Sequence, residues 1–168
     1  MKMLPKMALC SAALLTAFAA NAFQADITVV ADIDPTVSIT GGDGNALPDT
    51  LPMLYKPGRG LDPISKPVKL WSNSTDKNLT VALASKPLLT SPDATKNIPL
   101  SVSLDGKPLD TTATTFEYAS TFPSGIANGS RVMPLVISQT TREAVTEQGK
   151  YSGLVSIIVS QATSPTLG

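Results

Sequence analysis

A chain of 168 residues, 15% of them charged, suits one domain with its own core and is too short for two of ordinary size. It has no histidine and one cysteine, which excludes Ser–His and Cys–His nucleophile pairs and an imidazole-bound zinc. Thirteen basic and 13 acidic side chains balance to a formal charge of zero, and without a basic patch nucleic acid and anionic lipid are poor partners.

Residues 1–22 read as a secretory signal peptide. Lys2 and Lys6 make a basic start, Met7 to Ala20 is apolar or small, and Ala20-Asn21-Ala22 offers a cleavage site. The apolar run is too short to span a bilayer, so the mature chain is expected to begin at Phe23. Cys10 falls in this leader without the small residues that lipidation would want before it, so the mature chain has no disulfide. Losing Lys2 and Lys6 leaves 11 basic against 13 acidic side chains, a net charge of −2 that lets many copies pack without strong repulsion.

From Phe23 the chain alternates with period two. Phe23, Ala25, Ile27, Val29, Ala31, Ile33, Pro35, Val37 and Ile39 are all apolar, whereas the intervening residues are polar except Val30. One face is therefore buried and the other wet. Pro35 cannot donate to a ladder and divides the run into a strand from Ala25 to Asp34 and a domain that starts at Thr36. Residues 41–45 form a Gly-rich turn, and Leu51 to Tyr55 is a short edge strand ahead of a loop from Lys56 to Pro63. Val68–Ser72 and Leu79–Ala84 are expected to pair as a hairpin. Asp105-Gly106 between Leu100–Leu104 and Lys107–Leu109 is a two-residue hairpin signal. Thr114–Tyr118 is a further short strand, and Val132–Ser138 carries Pro134 and so needs an edge or a bulge. Tyr151–Val159 closes the series. Tyr151, Gly153, Val155, Ile157 and Val159 share a face, and Leu154 and Ile158 predict burial on much of the other as well. Short strands separated by turns, with no helical periodicity after the leader, indicate an all-β sandwich of the immunoglobulin type.

Little in the chain suggests chemistry, and no enzyme, cofactor or metal site is expected. Asp32, Asp34 and Asp43 are the nearest approach to a calcium set, but such a site needs six or more converging oxygens, and solvating side chains account for all three. Gly41-Gly42-Asp43-Gly44 lacks the spacing of a phosphate loop. Trp71 and Tyr151 lie in or at strands, where core packing is a simpler role than carbohydrate stacking.

Several segments taken in order carry a resemblance. They are Ile27-Thr-Val-Val-Ala-Asp-Ile-Asp-Pro35, Asp43-Gly-Asn-Ala-Leu-Pro48, Lys77-Asn-Leu-Thr-Val-Ala-Leu83, Ile98-Pro-Leu-Ser-Val-Ser-Leu-Asp-Gly106 and Gly149-Lys-Tyr-Ser-Gly-Leu-Val-Ser156. Together they resemble the major pilins of colonisation-factor fimbriae, the class 5 or alternate chaperone–usher branch. The resemblance implies an incomplete immunoglobulin-like β-sandwich, completed by a donor strand from a neighbouring subunit. It also implies a division into signal peptide (1–22), donor-strand extension (23–35) and pilin domain (36–168). The partners it implies are identical subunits, a periplasmic chaperone, an outer-membrane usher, a tip adhesin and, for the fibre, a host-cell receptor; the location is a fimbrium on the bacterial surface.

Strand addition joins chains by main-chain hydrogen bonds while alternate side chains enter pockets. Ala25, Ile27, Val29, Ala31 and Ile33 are the expected plugs and Pro35 the hinge. Three large side chains at about 1.5–3 kcal/mol each give roughly 5–9 kcal/mol before ordering costs. The acceptor groove is expected along Tyr151, Val155, Ile157 and Val159, with Val37 and Ile39 on the opposite wall. Two other readings are a minor or tip fimbrial subunit, and a self-contained secreted sandwich whose first strand folds back into its own domain to serve as a binding module.

Overall fold

The computed structural model describes residues 25–31 as backbone and residues 37–163 in full. The predicted leader and the last residues of the tail lie outside the described residues. Thirteen strands and one helical turn follow in order: β1 (Ala25–Ala31), β2 (Val37–Gly41), β3 (Leu51–Met53), β4 (Tyr55–Lys56), β5 (Gly60–Leu61), β6 (Ile64–Ser72), β7 (Leu79–Leu83), β8 (Leu88–Thr90), β9 (Asn97–Leu104), β10 (Lys107–Leu109), β11 (Thr114–Phe116), α1 (Tyr118–Thr121), β12 (Met133–Gln139) and β13 (Ser152–Gln161).

They form two layers. One runs β11, β7, β13, β1, β3. The other runs β10, β9, β12, β6, β2. Strand β8 joins the layers by pairing with β13 on one side and the start of β9 on the other. Period-two alternation explains the core. Val37 and Ile39, Val68 and Leu70, Val102 and Leu104, and Leu135 and Ile137 point inward from one layer; Leu79, Val81, Leu83, Val155, Ile157 and Val159 meet them from the other.

The Asp105-Gly106 turn forms as expected. Both residues have positive φ, 53° and 76°, which is the twist a tight hairpin requires. The predicted hairpin between Val68–Ser72 and Leu79–Ala84 does not form. β6 pairs with β12 and β2, β7 with β13 and β11, and residues 73–78 cross from one layer to the other. Val68 and Leu70 of one layer and Leu79 and Val81 of the other are all buried in the same core, so the two strands contribute side chains to it from separate layers rather than sharing a ladder. The Ser74 hydroxyl, donating to Asp76 at 2.7 Å and accepting from Lys77 N, shapes the crossing.

Pro134 needs neither an edge nor a bulge. It sits in the interior strand β12, opposite Pro67 of β6. The Pro134 carbonyl accepts from Asp105 N at 2.9 Å and the Pro67 carbonyl from Gly42 N at 2.8 Å, on opposite sides. The two prolines thus form a non-hydrogen-bonded pair, and no ladder bond between β6 and β12 is lost. Leu154 and Ile158 also depart from expectation: they point outward and are 49% and 42% exposed.

Two polar groups tie loops to this core. Buried Gln139 accepts from Leu61 N at 2.9 Å and donates to the Glu143 carbonyl at 3.1 Å, holding β5 to the 140–147 segment. Gln139→Met keeps the volume but leaves Leu61 N–H buried without a partner. A loss of about 1–3 kcal/mol is expected, read as a lower urea midpoint. In the β8–β9 turn, hydrogen bonds from Ser91 and then Thr95 hold the Asp93 carboxyl at about 2, below its ordinary 3.8. A depressed folded-state value means that the turn gains support above pH 4 and loses it as pH falls through 2. Protection at Thr95 and Lys96, read as amide exchange relative to the intrinsic rate at each pH, should therefore fall between pH 4 and 2, and Asp93→Asn should flatten that dependence.

Candidate strand-acceptor groove

Between β13 and β3 lies a gap one strand wide, and β1 fills it. β1 runs parallel to β13, from Asp26 opposite Ser152 to Ala31 opposite Ile157. On its other edge it runs antiparallel to β3, with Ala25, Ile27 and their partners Met53 and Leu51 in register. Among the described residues this is the one parallel pairing. The register sets Ile27, Val29 and Ala31 opposite Gly153, Val155 and Ile157, the inward positions of β13. In this chain, then, the first strand folds back into its own sheet.

The groove residues expected from sequence divide along β13. Val155 and Ile157 lie within the stretch that pairs with β1 and are fully buried with β1 in place. Val159 lies beyond it, opposite Val81 of β7. Tyr151 precedes the strand. It is 1% exposed, burial pushes its phenol pKa up, and its hydroxyl donates to the Glu147 carbonyl at 3.4 Å. Ile33 and Pro35 lie outside the described residues.

The opposite wall is not Val37 and Ile39. Those residues are in β2, on the far layer, paired with β6. The wall is β3, whose Leu51 and Met53 are buried while Pro52 between them is exposed. The alternation Leu51-Pro52-Met53 was visible in the sequence. Nothing in the sequence said which neighbour the strand takes, because three residues carry too little pattern.

Gly153 is a further groove residue that sequence reasoning passed over. Any Cβ there would collide with the Leu88 carbonyl oxygen and press on the Leu89 backbone. Glycine lets β8 close against β13 at the same position that faces Ile27 across the ladder. Gly153→Ala should cost about 1–3 kcal/mol, because the obstruction is backbone and cannot swing aside. A chain with an unchanged urea midpoint would show that β8 yields freely.

Beside the start of β13 a cleft of about 270 Å³ opens between the beginning of β9 and residues 140–147, with Tyr151 among its walls. Lys96 and Glu147 bridge there at 2.8 Å, and this hydrogen-bonded pair raises the Lys96 pKa. Asp43 of the calcium consideration is a turn residue that accepts from Asn45 N at 3.0 Å and Asn45 Nδ2 at 2.8 Å; Asp32 and Asp34 lie outside the described residues. Among the described residues, no three His, Cys, Asp or Glu side chains gather as metal ligands, and no helix is long and apolar enough to cross a membrane. Trp71 is half-buried, stacked close over Gly129, and donates to Thr40 Oγ1 at 2.8 Å.

Comparison with known proteins is consistent across sequence and structure. Residues 23–160 match the family model described as CS1 type fimbrial major subunit. A CFA/I fimbrial subunit of Escherichia coli O78:H11 is 35% identical over 153 residues, covering 88% of this chain and 90% of that protein. A CS1 fimbrial subunit of Escherichia coli is 34% identical over 167 residues, covering 93% and 95%. The solved structure of the CooA pilin subunit from enterotoxigenic Escherichia coli superposes with a TM-score of 0.69 at 31% identity, covering 77% of this chain and 90% of that one.

Proposed function

Because this chain belongs to the CS1 type fimbrial major subunit family, we propose that it is the repeating structural subunit of a bacterial surface fimbria whose copies are joined by donor-strand complementation. Residues 1–22 serve as the leader, 23–35 as the donor extension hinged at Pro35, and 36–168 as the pilin domain; a family match that starts at Phe23 supports this division. A periplasmic chaperone guards the groove before assembly. An outer-membrane usher is where exchange takes place, a tip adhesin heads the fibre, and the fibre supports adhesion to host cells.

The observation that carries this reading is the seat of β1. It is the first described strand, it fills a gap between two strands that are already part of the body, and it enters parallel in a sheet whose other pairings among the described residues are antiparallel. Parallel ladders are slightly less stable per residue. A lone chain caps its own groove in this way. The extension of a second copy, entering antiparallel to β13, replaces the weaker ladder with the regular one and leaves the displaced β1 free to enter the next groove.

The same pairing favours a second reading, a self-contained secreted module that keeps β1 permanently. Removal of Phe23–Asp34 separates the two. The intact chain should give a ladder of multimers on SDS-PAGE without boiling that collapses on heating. The shortened chain should give none, yet still bind a synthetic peptide of residues 23–34. An intact, processed chain that stays single at high concentration with its β1 amides protected overturns the fibre reading.

A further inference from the structure

We infer that the outer face of the β11–β7–β13 layer is a lateral docking surface for a further copy of this chain, which presents the proline ridge of its β6 and β12. The contact is separate from the strand-acceptor groove, and it rests on the fibre reading only in needing copies held side by side.

The outward positions of this layer are Thr80, Ala82, Thr115, Ser152, Leu154, Ser156, Ile158 and Ser160, joined at one edge by Leu88 and Thr90 of β8; none is charged. Ile158 lies opposite Ala82. Two residues along each strand from the Ser152–Thr90 pair, the antiparallel register brings Leu154 to Leu88. Three of the five exposed large apolar residues among the described residues, Leu88, Leu154 and Ile158, therefore share one face. At the register of Ser156, between Leu154 and Ile158, lies Val30, the one apolar member of the even series of β1. A solvent-facing sheet is ordinarily studded with charge, because a bare neutral sheet invites association.

The occupant follows from a second cluster of the same kind. On the opposite layer, exposed Pro67 and Pro134 are paired, and Val132, 49% exposed, closes around Gly42 beside Pro67. Lys69 is the one charged residue along the outward positions of β6 and β12, and it reaches away to the Asn128 carbonyl. Neighbouring ion pairs stay in loops and in the small β4–β5 hairpin: Lys56–Asp62–Arg142, Lys96–Glu147 and Asp105–Arg131. A face that met its own twin would close at two copies, whereas an open fibre needs two different surfaces on one molecule. Leucine and isoleucine on one layer against proline and valine on the other supply them. The face is also continuous with the groove. Along β13 the inward residues Val155, Ile157 and Val159 alternate with the outward Leu154 and Ile158, so one strand serves both contacts.

The absence of cysteine from the predicted mature chain makes the test direct. Ile158→Cys combined with Val132→Cys should give, in oxidised surface fibres, covalent dimers and higher species that survive boiling and vanish on reduction. Either substitution alone should give none. Ile158→Asp and Val132→Asp should each leave the unboiled multimer ladder intact while the fibres lose their regular, compact form in negative-stain images. Four results would overturn the assignment: no cross-link in the double variant, a cross-link from Ile158→Cys alone, Asp variants whose fibres keep their diameter and pitch, or Asp variants that lose the unboiled ladder. Absence of that ladder in the unsubstituted fibre counts against strand exchange instead, and leaves the cysteine pair free to report the lateral contact.

Discussion

The edge of β13 between Ser152 and Ile157 is the constraint on which the rest of this molecule depends. Its inward side chains, Val155 and Ile157, are core residues, so the strand cannot leave the layer. One of its edges is satisfied by β8 and β7. The other presents backbone donors and acceptors that some strand has to meet, since an apolar face behind them keeps water out. β3 is only three residues long and lies one strand-width away, so it cannot close the gap itself. Whatever fills the gap must be extended, apolar at every second position and free to arrive late. The sequence of residues 23–34 is apolar at every second position, and its described part, Ala25–Ala31, is extended.

Self-docking of β1 is what this constraint produces when one chain is alone. On the proposed donor-strand reading, a foreign strand competes with the chain's own strand for the six residues of β13 that β1 pairs with, and the outcome rests on differences rather than on absolute burial. An intramolecular strand has the advantage of proximity, because no translational freedom is lost. A strand entering antiparallel has the advantage of ladder geometry over the whole length. Once installed it must leave as a unit, so the rate of loss, more than the equilibrium, decides how long the joint lasts. A predicted mature chain without a disulfide depends on packing and strand pairing for its durability.

How much of this was legible before the structure depended on what alternation can express. It says which side of a strand faces the core, and so Val37 and Ile39, and Val155 and Ile157, fall on the buried side as their apolar series predicts. The Asp105-Gly106 turn was readable because that pair accepts the positive φ such a turn demands. Alternation does not say which strands are neighbours. β6 and β7 look like a hairpin and are instead opposed across the core, and β2 looks like a groove wall and is instead the far edge of the other layer. The role of Gly153 depends on the Leu88 carbonyl, a main-chain atom 65 residues away that no pattern announces. Pro134 alone predicts an edge or a bulge. Its partner Pro67 turns it into a matched pair whose two rings project into solvent.

Leu154 and Ile158 show most plainly where the pattern stops. On sequence alone, apolar residues on both faces of a strand mean a strand buried on both sides, and within a single chain that inference fails. It recovers its sense if burial is counted over the assembled fibre rather than over one copy. The inward set of β13 is covered by its own domain, and the outward set awaits another. The same reasoning explains why charge is so scarce on both outer faces: a surface that meets the other face of a neighbouring copy gains nothing from hydrating groups that it would later have to strip of water. Low charge, which in the sequence already suits copies that pack together, is on this reading a trace that polymerisation leaves in composition.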